Sequence, residues 1–559
     1  LPSQMKDYKG LRGDPSDNIP GVLGVGEKTA VLLVKEFGSL EQLYEALESG
    51  SAGDRVKPKL KEKLIQEKSK AFLSKELGTI DQDAPITWKL TDAAWESFNR
   101  EEVAKLLSRF EFGSLLSRVP GVGQEGARQD DTTQEKIEQL YRDQVLSKEV
   151  YELEKNLIPI LRAMEKTGIK IDKPYFQKLS QEMEDELGLL KTKIHEQAGK
   201  EFNINSTQQL SEVLFHDLEL PVKGLKKTPK GVISTASPEL EKLRGAHPIV
   251  EEIFKHREIQ KLLTTYAKPL PRLADEKDRV HTHFDQLGAA TGRLSSSNPN
   301  LQNIPNQGEW GKRIRRGFIA EQGFSLVSFD YSQMELRIAA HLSQDEQMSA
   351  FFREGADIHQ MTASTVFGVA AKEVTPEMRF RAKALNFGVL YGMGAQGFAK
   401  SAGIPVDEAR DFIEQYFVRF PKVFEFMEQT KEFARSHGYV ETMFGRRRYL
   451  PEVNSSTPSL RAQAERMAVN HPIQGSLADM VKMAMVKIQE SVTLPDARGA
   501  MLLQIHDELL FEIADGIVEE TSRLVKELME KIVELRVPLR VDVKKGKNWA
   551  DVEKILALW

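Results

Sequence analysis

Residues 119–133 show no regular spacing of apolar residues, and this break divides the chain. The stretch holds Pro120, Gly121 and Gly123 and then the polar run Asp130-Asp131-Thr132-Thr133. Such a composition is typical of a linker. It predicts two separately folded parts, residues 1–118 and 134–559. At the usual size of domains, 559 residues make three to five of them, so one compact core is excluded.

Composition excludes several classes of protein. With no cysteine, the chain can form no disulfide, thiolate zinc site or cysteine nucleophile. No apolar run approaches the roughly 18 residues of a membrane helix, and the start lacks the features of a secretion signal. We expect an intracellular protein without a membrane partner. Because the first residue is Leu rather than Met, we also expect a longer protein upstream.

Basic residues are clustered although the formal net charge is −5. Three clusters stand out: Lys223, Lys226, Lys227 and Lys230; Lys312, Arg313, Arg315 and Arg316; Arg446, Arg447 and Arg448. Each alone is more often a solvated face than a nucleic-acid site. The clusters therefore leave a nucleic-acid partner open.

Two acidic residues follow apolar runs that are typical of strands. The run 324–329 ends at Asp330, and the runs 501–505 and 509–513 bracket Asp507 in a tight turn. Carboxylates about 4 Å apart repel by roughly 4 kcal/mol at an effective dielectric near 20. If the two met, two hard divalent cations would satisfy them. The spacing by itself leaves open whether they meet.

Two cations and then two aromatic residues recur at every fourth position: Arg379, Lys383, Phe387 and Tyr391. On a helix they share one slowly turning face about 18 Å long. A nucleoside triphosphate has the same polarity, phosphates followed by a stackable base. The alternative is an amphipathic helix with its aromatic residues in a core. Gly388, Gly392 and Gly394 weaken a helix, which favours close approach or a hinge.

These motifs resemble family A DNA polymerases of the bacterial DNA polymerase I type. The matching segments are Asp330-Tyr-Ser-Gln-Met-Glu335-Leu-Arg337, Arg379-x3-Lys383-x3-Phe387-x3-Tyr391-Gly392, His506-Asp507-Glu508, Thr291-Gly-Arg293 through Asn300-Leu-Gln302-Asn303-Ile-Pro, and Asn470-His-Pro-Ile-Gln474-Gly. The resemblance covers 134–559. It implies a multidomain α+β fold, a right hand whose palm has an antiparallel sheet and whose fingers and thumb are helical. The thumb would span about 185–272, the palm about 280–345 and 440–559, and the fingers about 346–439.

The resemblance implies template-directed DNA synthesis in replication and repair, with deoxynucleotides added to a primer 3′-hydroxyl. Two Mg²⁺ ions would be held by Asp330, Asp507 and the backbone carbonyl of Tyr331. Glu508 and Lys383 would complete the catalytic set. The nucleotide would be bound by Arg379, Lys383, His359, Phe387, Tyr391 and the steric gate Glu335. Primer-template DNA would be bound by Arg293, Asn300, Gln302, Asn303, Asn470, Gln474 and His506.

The N-terminal part has a resemblance of its own. Leu11 to Ala30 resembles the helix-hairpin region of the 5′ nuclease domain found in such polymerases. Gly21, Gly24 and Gly26 would let backbone N–H groups approach a DNA phosphate. Asp14 and Asp17 match two metal ligands of that nuclease, here vestigial because its earlier half is absent. Residues 1–118 are thus expected to be the C-terminal part of that domain.

The space between the two parts is too short for a proofreading exonuclease domain, so we expect polymerisation without editing.

One departure from the family pattern is the sequence Asn306-Gln307-Gly308-Glu309, where family members often carry a basic residue. The alternatives are a single-subunit RNA polymerase, which Glu335 disfavours, a non-catalytic DNA-binding factor, and a flap nuclease with a structural polymerase body. The partners implied are primer-template DNA and deoxynucleoside triphosphates. We expect a monomer in the bacterial cytoplasm, associated with the nucleoid.

Overall fold

The chain divides into two compact units, Leu1–Gln124 and Glu125–Trp559. The structure is a computed structural model that describes residues 4–14, 17, 19–80, 102–103, 106, 126–229, 231–492 and 498–555, with only the backbone for 126–131. No helix in this described part is long and apolar enough to cross a membrane. Lys230 of the first basic cluster lies outside the described residues.

The N-terminal unit is helical where it is described. Its helices are α1 (Met5–Arg12), α2 (Glu27–Phe37), α3 (Leu40–Glu48), α4 (Pro58–Gln66) and α5 (Lys68–Leu77). They enclose a small core in which the Tyr44 hydroxyl donates to the Leu64 carbonyl oxygen at 2.8 Å. Gly13 and Gly21 both have positive φ, and a Cβ on Gly21 would lie 2.3 Å from the Gly13 nitrogen. Only glycine fits this close crossing of the two backbone segments.

The second unit is larger and combines helices with small sheets. Its helices are α6 (Gly126–Arg142), α7 (Lys148–Thr167), α8 (Lys173–Ala198), α9 (Thr207–Glu212), α10 (Ser237–Leu240), α11 (Pro248–Leu262), α12 (Leu270–Leu273), α13 (Glu309–Arg316), α14 (Met334–Ser343), α15 (Glu346–Arg353), α16 (Ile358–Phe367), α17 (Pro376–Leu390), α18 (Ala395–Ala402), α19 (Val406–Arg419), α20 (Pro421–His437), α21 (Pro458–Ser491) and α22 (Val518–Glu530). Its strands are β1 (Ile169–Lys170), β2 (Arg279–Val280), β3 (His283–Asp285), β4 (Ser295–Ser297), β5 (Phe324–Tyr331), β6 (Tyr439–Glu441), β7 (Arg447–Tyr449), β8 (Gly499–Ile505), β9 (Glu508–Ala514), β10 (Val541–Gly546) and β11 (Glu553–Lys554). This mixture is the α+β composition that the sequence predicts.

Helix α6 begins inside the predicted linker. Residues 126–133 belong to its first turns, whereas 119–125 lie outside the described residues. The helix is anchored by Ile137, which is fully buried beside Leu146 and Val150. Ala, Arg and Gln at 127–129 favour helix, so it extends back from this anchor and leaves less irregular chain than predicted.

The central sheet has the strand order β11-β10-β5-β9-β8 and is antiparallel throughout. In β5 a continuous run of buried residues replaces alternate burial, because helix α22 packs against this strand within the core. The strand continues through Asp330 to Tyr331, two residues beyond the predicted end. Asp330 pairs with Glu508 on one side and with Asp542 on the other. The sheet thus carries this carboxylate inside its register rather than in a loop.

Helix α17 contains three of the four residues in the predicted row. Thr375 caps its start by accepting a hydrogen bond from the Met378 N–H, and Pro376 occupies its first turn. The helix ends at Leu390, so Tyr391 follows it rather than lying on it. Gly392 has φ +65°, and a Cβ there would lie 2.8 Å from the Arg466 side chain. A glycine is therefore needed where the chain turns against α21.

Candidate active site

Asp330 and Asp507 meet where β5 runs past the β8–β9 turn. The Tyr331 N–H donates to the backbone carbonyl oxygen of Asp507 at 3.2 Å. Strand register places Glu508 directly opposite Asp330. The Glu508 carboxylate accepts a hydrogen bond from the Ser328 hydroxyl at 2.6 Å. Asp330, Asp507 and Glu508 therefore lie together where these strands end, a place called the acidic edge below. In sequence, 177 positions separate the first two.

The electrostatics of this edge show an excess of negative charge. Burial, together with the carboxylates of Asp507 and Glu508, raises the pKa of Asp330 to about 7. Burial also raises the pKa of Asp507 to about 6, with a contribution from Glu335. Both shifts mean that the ionised pair is costly in the protein alone. A nearby cation would remove that cost.

The donors at this edge are those that a hard divalent cation prefers. Two partly buried carboxylates and backbone carbonyl groups offer oxygen ligands, and the chain has no cysteine to offer a thiolate. Within the described residues, no group of three or more His, Cys, Asp or Glu side chains forms a ready metal cage. The set fits Mg²⁺, which keeps part of its shell for water and substrate phosphates.

Glu335 joins two other residues that the resemblance singles out. Its Oε1 accepts a hydrogen bond from the Arg293 guanidinium at 2.8 Å, and its Oε2 accepts one from the Tyr391 hydroxyl. Burial and the Glu335 carboxylate raise the pKa of Tyr391, so its hydroxyl stays a donor. Gln474 also hydrogen-bonds with the Tyr391 side chain. The structure thus brings four predicted site residues from four segments together.

The cations of α17 lie beside helix α16. Arg379 is exposed and pairs with the Asp357 carboxylate at 2.8 Å, while Lys383 is exposed one turn further on. Asp357 also caps α16 by accepting from the His359 and Gln360 N–H groups. Asp357 was not predicted as a site residue, although an Asp one position before a helical pattern is a signal for such a cap.

The predicted DNA-contact residues lie close to the acidic edge. The Gln302 amide donates to Gln504 at 3.0 Å, and the Gln504 amide donates to the His506 carbonyl oxygen at 2.5 Å. The Asn300 side chain accepts from the Gln302 and Asn303 N–H groups, which fixes this turn. Sequence reasoning missed Gln504, whose position in an apolar strand was the only hint.

Two polar atoms of predicted DNA-contact residues are buried without a hydrogen-bond partner in the described part of the chain. They are Nε of Arg293 and Oδ1 of Asn470. Buried groups of this kind are rarely left unpaired in a working protein. Both residues were predicted to contact DNA, and both hold an unused hydrogen-bonding atom.

Two of the three basic clusters are largely engaged within the protein. Arg313 pairs with Glu182, Arg316 with Asp551 at 2.8 Å, and Arg315 donates to the carbonyl oxygens of Ile304 and Pro305. Arg446 is buried against Glu154 and Asp479, and Arg447 pairs with Glu441. Arg315 therefore stabilises the Gln302–Pro305 turn through two of its backbone carbonyl groups.

Comparison with known proteins identifies the family of this chain. Residues 173–551 match the model of DNA polymerase family A, and residues 1–101 match that of the 5′-3′ exonuclease, C-terminal SAM fold. The thermostable DNA polymerase I of Thermus thermophilus is 41% identical over 98% of this chain and 78% of its own length. The DNA polymerase I of Caldicellulosiruptor bescii is 36% identical over 99% of this chain and 80% of its own length. The chain belongs to DNA polymerase family A.

A solved structure extends this likeness. It is the POL domain of Pol1 from M. smegmatis in complex with DNA primer-template and dNTP, 42% identical. The TM-score is 0.67, over 71% of this chain and 70% of that one. The present chain is a DNA-directed DNA polymerase that carries out template-directed DNA synthesis. The expectation of a multidomain α+β polymerase with a 5′ nuclease-like N-terminal part is confirmed.

The N-terminal unit of this polymerase holds the two carboxylates predicted as vestigial metal ligands. The Lys9 amine lies 3.0 Å from Asp14 and 3.3 Å from Asp17. One ammonium group thus partly neutralises both carboxylates without a metal ion. Gly21 and Gly24 have positive φ on either side of Leu23, which is exposed, and Gly26 precedes α2. Gly24 and Gly26 are exposed, whereas Gly21 is buried and its N–H donates to the Ser74 hydroxyl at 2.9 Å.

Proposed function

We propose that this polymerase adds deoxynucleotides to the 3′-hydroxyl of a primer on a DNA template by two-metal-ion phosphoryl transfer. The observation that carries the proposal is the meeting of Asp330 and Asp507, whose raised pKa values reflect burial and nearby carboxylates. Asp330, Asp507 and the Tyr331 carbonyl would hold two Mg²⁺ ions, with Glu508 beside them. When bound, the ions would lower the pKa of the attacking hydroxyl and neutralise the leaving pyrophosphate.

The cations of α17 would bind the triphosphate. Lys383 is exposed, and its charge would offset the growing charge on the leaving group. Arg379 is held by Asp357 at 2.8 Å and would exchange this carboxylate for a phosphate when the nucleotide binds. His359 lies against Phe387, with ring centroids 5.7 Å apart, and would donate a hydrogen bond to the same triphosphate.

The residues around Glu335 would check the sugar and the base. Phe387 would pack on the incoming sugar, and Glu335 would occupy the space that a ribose 2′-hydroxyl needs. Tyr391 would stack at the template base, which requires its hydroxyl to move or to release Glu335. The Tyr391–Glu335 hydrogen bond closes the site in the free protein. It would then break only when the bound nucleotide makes contacts that compensate for its loss.

The minor-groove side of the primer terminus would be read by Arg293, Gln302, Gln474 and His506. Acceptors in this groove are shared by all correct base pairs, so the contacts would test geometry rather than sequence. The unpaired Nε of Arg293 and Oδ1 of Asn470 support DNA as the missing partner. Asn300 and Asn303 would shape the turn that carries Gln302 and add contacts to the strand.

The large unit would then be the polymerase domain, 134–559, with the thumb, palm and fingers as predicted from the resemblance. Residues 1–118 would bind DNA through the turn that holds Gly21, Gly24 and Gly26, while Asp14 and Asp17 pair with Lys9. We also propose that the protein works as a monomer in the bacterial cytoplasm, associated with the nucleoid. Relatives from bacteria and a substrate of DNA support this location.

Absence of proofreading is part of the proposal. The alignment with the T. thermophilus relative spans 665 positions, 106 more than the 559 residues of this chain. The relative therefore contains at least 106 residues that have no counterpart in this chain. The two family matches are separated only by residues 102–172, and 126–142 and 148–167 of these form α6 and α7. Only 34 of the 71 residues in this gap lie outside the two helices. A separate exonuclease domain needs about 50 residues or more.

Primer extension tests the proposal directly. We expect extension with Mg²⁺ and deoxynucleotides, none in excess chelator, and none by folded Asp330→Asn or Asp507→Asn. Near-native extension by either variant contradicts the assignment of the carboxylates. A 3′-mismatched primer should stay untrimmed at every enzyme concentration. Trimming that disappears in an active-site variant of this chain contradicts the absence of editing.

A further inference from the structure

His359 has a buried partner that the mechanism above does not use. The residue is 3% exposed, and its ring Nδ1 lies 3.0 Å from Nδ2 of Asn386 on the neighbouring helix α17. Asn386 is fully buried one position before Phe387. It therefore lies on the side of α17 that faces the protein, behind the row of nucleotide-binding residues.

This contact determines which ring nitrogen carries the proton. The Asn386 NH₂ group can only donate, so Nδ1 of His359 accepts and the hydrogen of the neutral ring lies on Nε2. Burial lowers the pKa of His359 to about 4; the Asp357 carboxylate opposes this shift, and the cations Arg379 and Lys383 reinforce it. The ring is thus neutral at physiological pH, with one N–H donor. In the described part of the chain, no residue accepts a hydrogen bond from that Nε2.

A third buried residue orients the amide. The Thr362 hydroxyl donates to Oδ1 of Asn386 at 3.1 Å, and Thr362 is fully buried one turn after His359 on α16. With Oδ1 toward Thr362, the NH₂ group faces the histidine. In this orientation the hydroxyl, the amide and the ring form one chain of hydrogen bonds in which each group has a partner. The chain Thr362–Asn386–His359 therefore runs from the hydroxyl donor to Nδ1 as the final acceptor.

We propose that Asn386 is a positioning residue that holds His359 in the Nε2–H tautomer, with Nε2 as the donor to a phosphate oxygen of the incoming nucleotide. Phosphate oxygens only accept, so the opposite tautomer would present a lone pair to them. The inference rests on the assignment of His359 to the triphosphate in the proposed function. It adds that His359 acts as a neutral, oriented donor rather than as a third cation.

The tautomer can be measured without any activity. The full chain is labelled with ring-¹⁵N histidine, and the His359 signals are assigned by their loss in His359→Gln. Between pH 6 and 8 we expect a protonated Nε2 and an unprotonated Nδ1 in the wild type. In Asn386→Leu we expect both nitrogens to shift toward the exchange-averaged values of a free ring. A wild-type spectrum with Nδ1 protonated overturns the proposal.

Nucleotide binding provides the second measurement. With a defined primer-template and dATP, Asn386→Leu should raise KM about tenfold, with a smaller change in kcat, because a hydrogen bond to a charged group is weakened. In a His359→Ala background the same substitution should change KM by less than about twofold, since nothing remains to be positioned. Val389→Ala on the same helix is the control for lost packing and should leave KM near the wild-type value.

The outcomes separate the two proposals. If His359→Ala leaves KM unchanged, His359 does not bind the triphosphate, which contradicts the proposed function. The NMR spectrum then still shows whether Asn386 fixes the tautomer of His359. If KM depends on His359 but Asn386→Leu and His359→Ala are additive, Asn386 does not act through the histidine. Should Asn386→Leu fail to fold, Thr362→Val takes its place. It removes only the hydroxyl that orients the amide, and we expect mixed tautomers and a two- to fivefold higher KM.

Discussion

The hydroxyl of Tyr391 donates a hydrogen bond to the carboxylate of Glu335, which joins the end of α17 to the first turn of α14. The same carboxylate accepts from Arg293 at 2.8 Å. One side chain therefore links the proposed template-base position, the proposed sugar position and the proposed primer-terminus contact. Its removal should affect more than the size of the sugar pocket.

We expect Glu335→Ala to raise ribonucleotide incorporation relative to deoxynucleotide incorporation by about tenfold or more, because only the 2′-hydroxyl needs the space that opens. The measurement is kcat/KM for CTP and dCTP opposite the same template base. Glu335→Gln keeps the bulk and should retain discrimination. An equal loss for both nucleotides in Glu335→Ala would show that the residue is structural.

A second prediction concerns the stability of the protein without metal. Because the pKa of Asp330 is raised to about 7, ionising this carboxyl group costs more free energy in the folded protein than in the unfolded chain. The free energy of unfolding therefore falls as pH rises from about 4 to 7. At pH 8 in chelator, Asp330→Asn should therefore raise the free energy of unfolding by about 1–3 kcal/mol. Urea unfolding measures this. Asp542→Asn, across the strand, is the control and should give a smaller gain.

A third prediction concerns four buried charges. Lys482 lies 2.6 Å from Glu154, which also accepts from Arg446 at 2.5 Å, and Arg446 pairs with Asp479 at 2.7 Å. Two cations balance two carboxylates away from water. A Cβ on Gly292 would lie 2.5 Å from Nε of Arg446, so this group packs against the residue that precedes Arg293.

We expect Lys482→Met to destabilise the protein by about 3–5 kcal/mol, because it leaves a buried carboxylate short of a partner. It should also lower the ratio of matched to mismatched primer extension, since the segment carrying Arg293 loses its support. Glu512→Gln, which breaks the Arg279–Glu512 pair elsewhere in this unit, is the matched control. If both variants change the ratio equally, the effect is general loss of stability.

Acid sensitivity provides the fourth prediction. His471 is fully buried, its Nε2 lies 3.1 Å from the Arg446 carbonyl oxygen, and burial lowers its pKa to about 4. Because the unfolded chain binds this proton with a pKa near 6.5, stability is complete above about pH 6.5 and declines as pH falls toward 4. His359 contributes in the same direction.

Between pH 7 and pH 5, His471→Gln should lose less unfolding free energy than the wild type, by up to about 2 kcal/mol. Urea titrations at the two pH values measure the difference. His216→Gln, at an exposed histidine, should behave like the wild type. An unchanged pH dependence in His471→Gln would mean that the buried ring is not the titrating group.

The fifth prediction concerns the N-terminal unit. Deleting residues 1–133 should weaken DNA binding and reduce its salt slope, because backbone donors at the glycine turn would be lost, while single-turnover incorporation stays unchanged. Fluorescence anisotropy at several salt concentrations measures the slope. Identical slopes would make the unit a passive remnant. Flap cleavage by the full chain that survives Asp14→Ala would contradict the account of vestigial ligands.

The sequence alone determined the local elements and the types of residue they carry. The apolar runs around Asp330 and Asp507 and the fourfold spacing from Arg379 identified strands, a turn and a helix, because periodicity reports which face of an element is buried. Order and spacing of the motifs then indicated the family. These signals are local, and each can be read within a few turns of chain.

Tertiary structure decided which side chains are partners. No spacing predicts that Arg379 pairs with Asp357, that Asn386 contacts His359, or that Arg446 is buried in a balanced group of four charges. The basic clusters read alike in sequence, yet two are engaged internally. Ion pairs and buried hydrogen bonds depend on distance and desolvation, and both are set only when separate segments pack together, here from 22 to 292 residues apart.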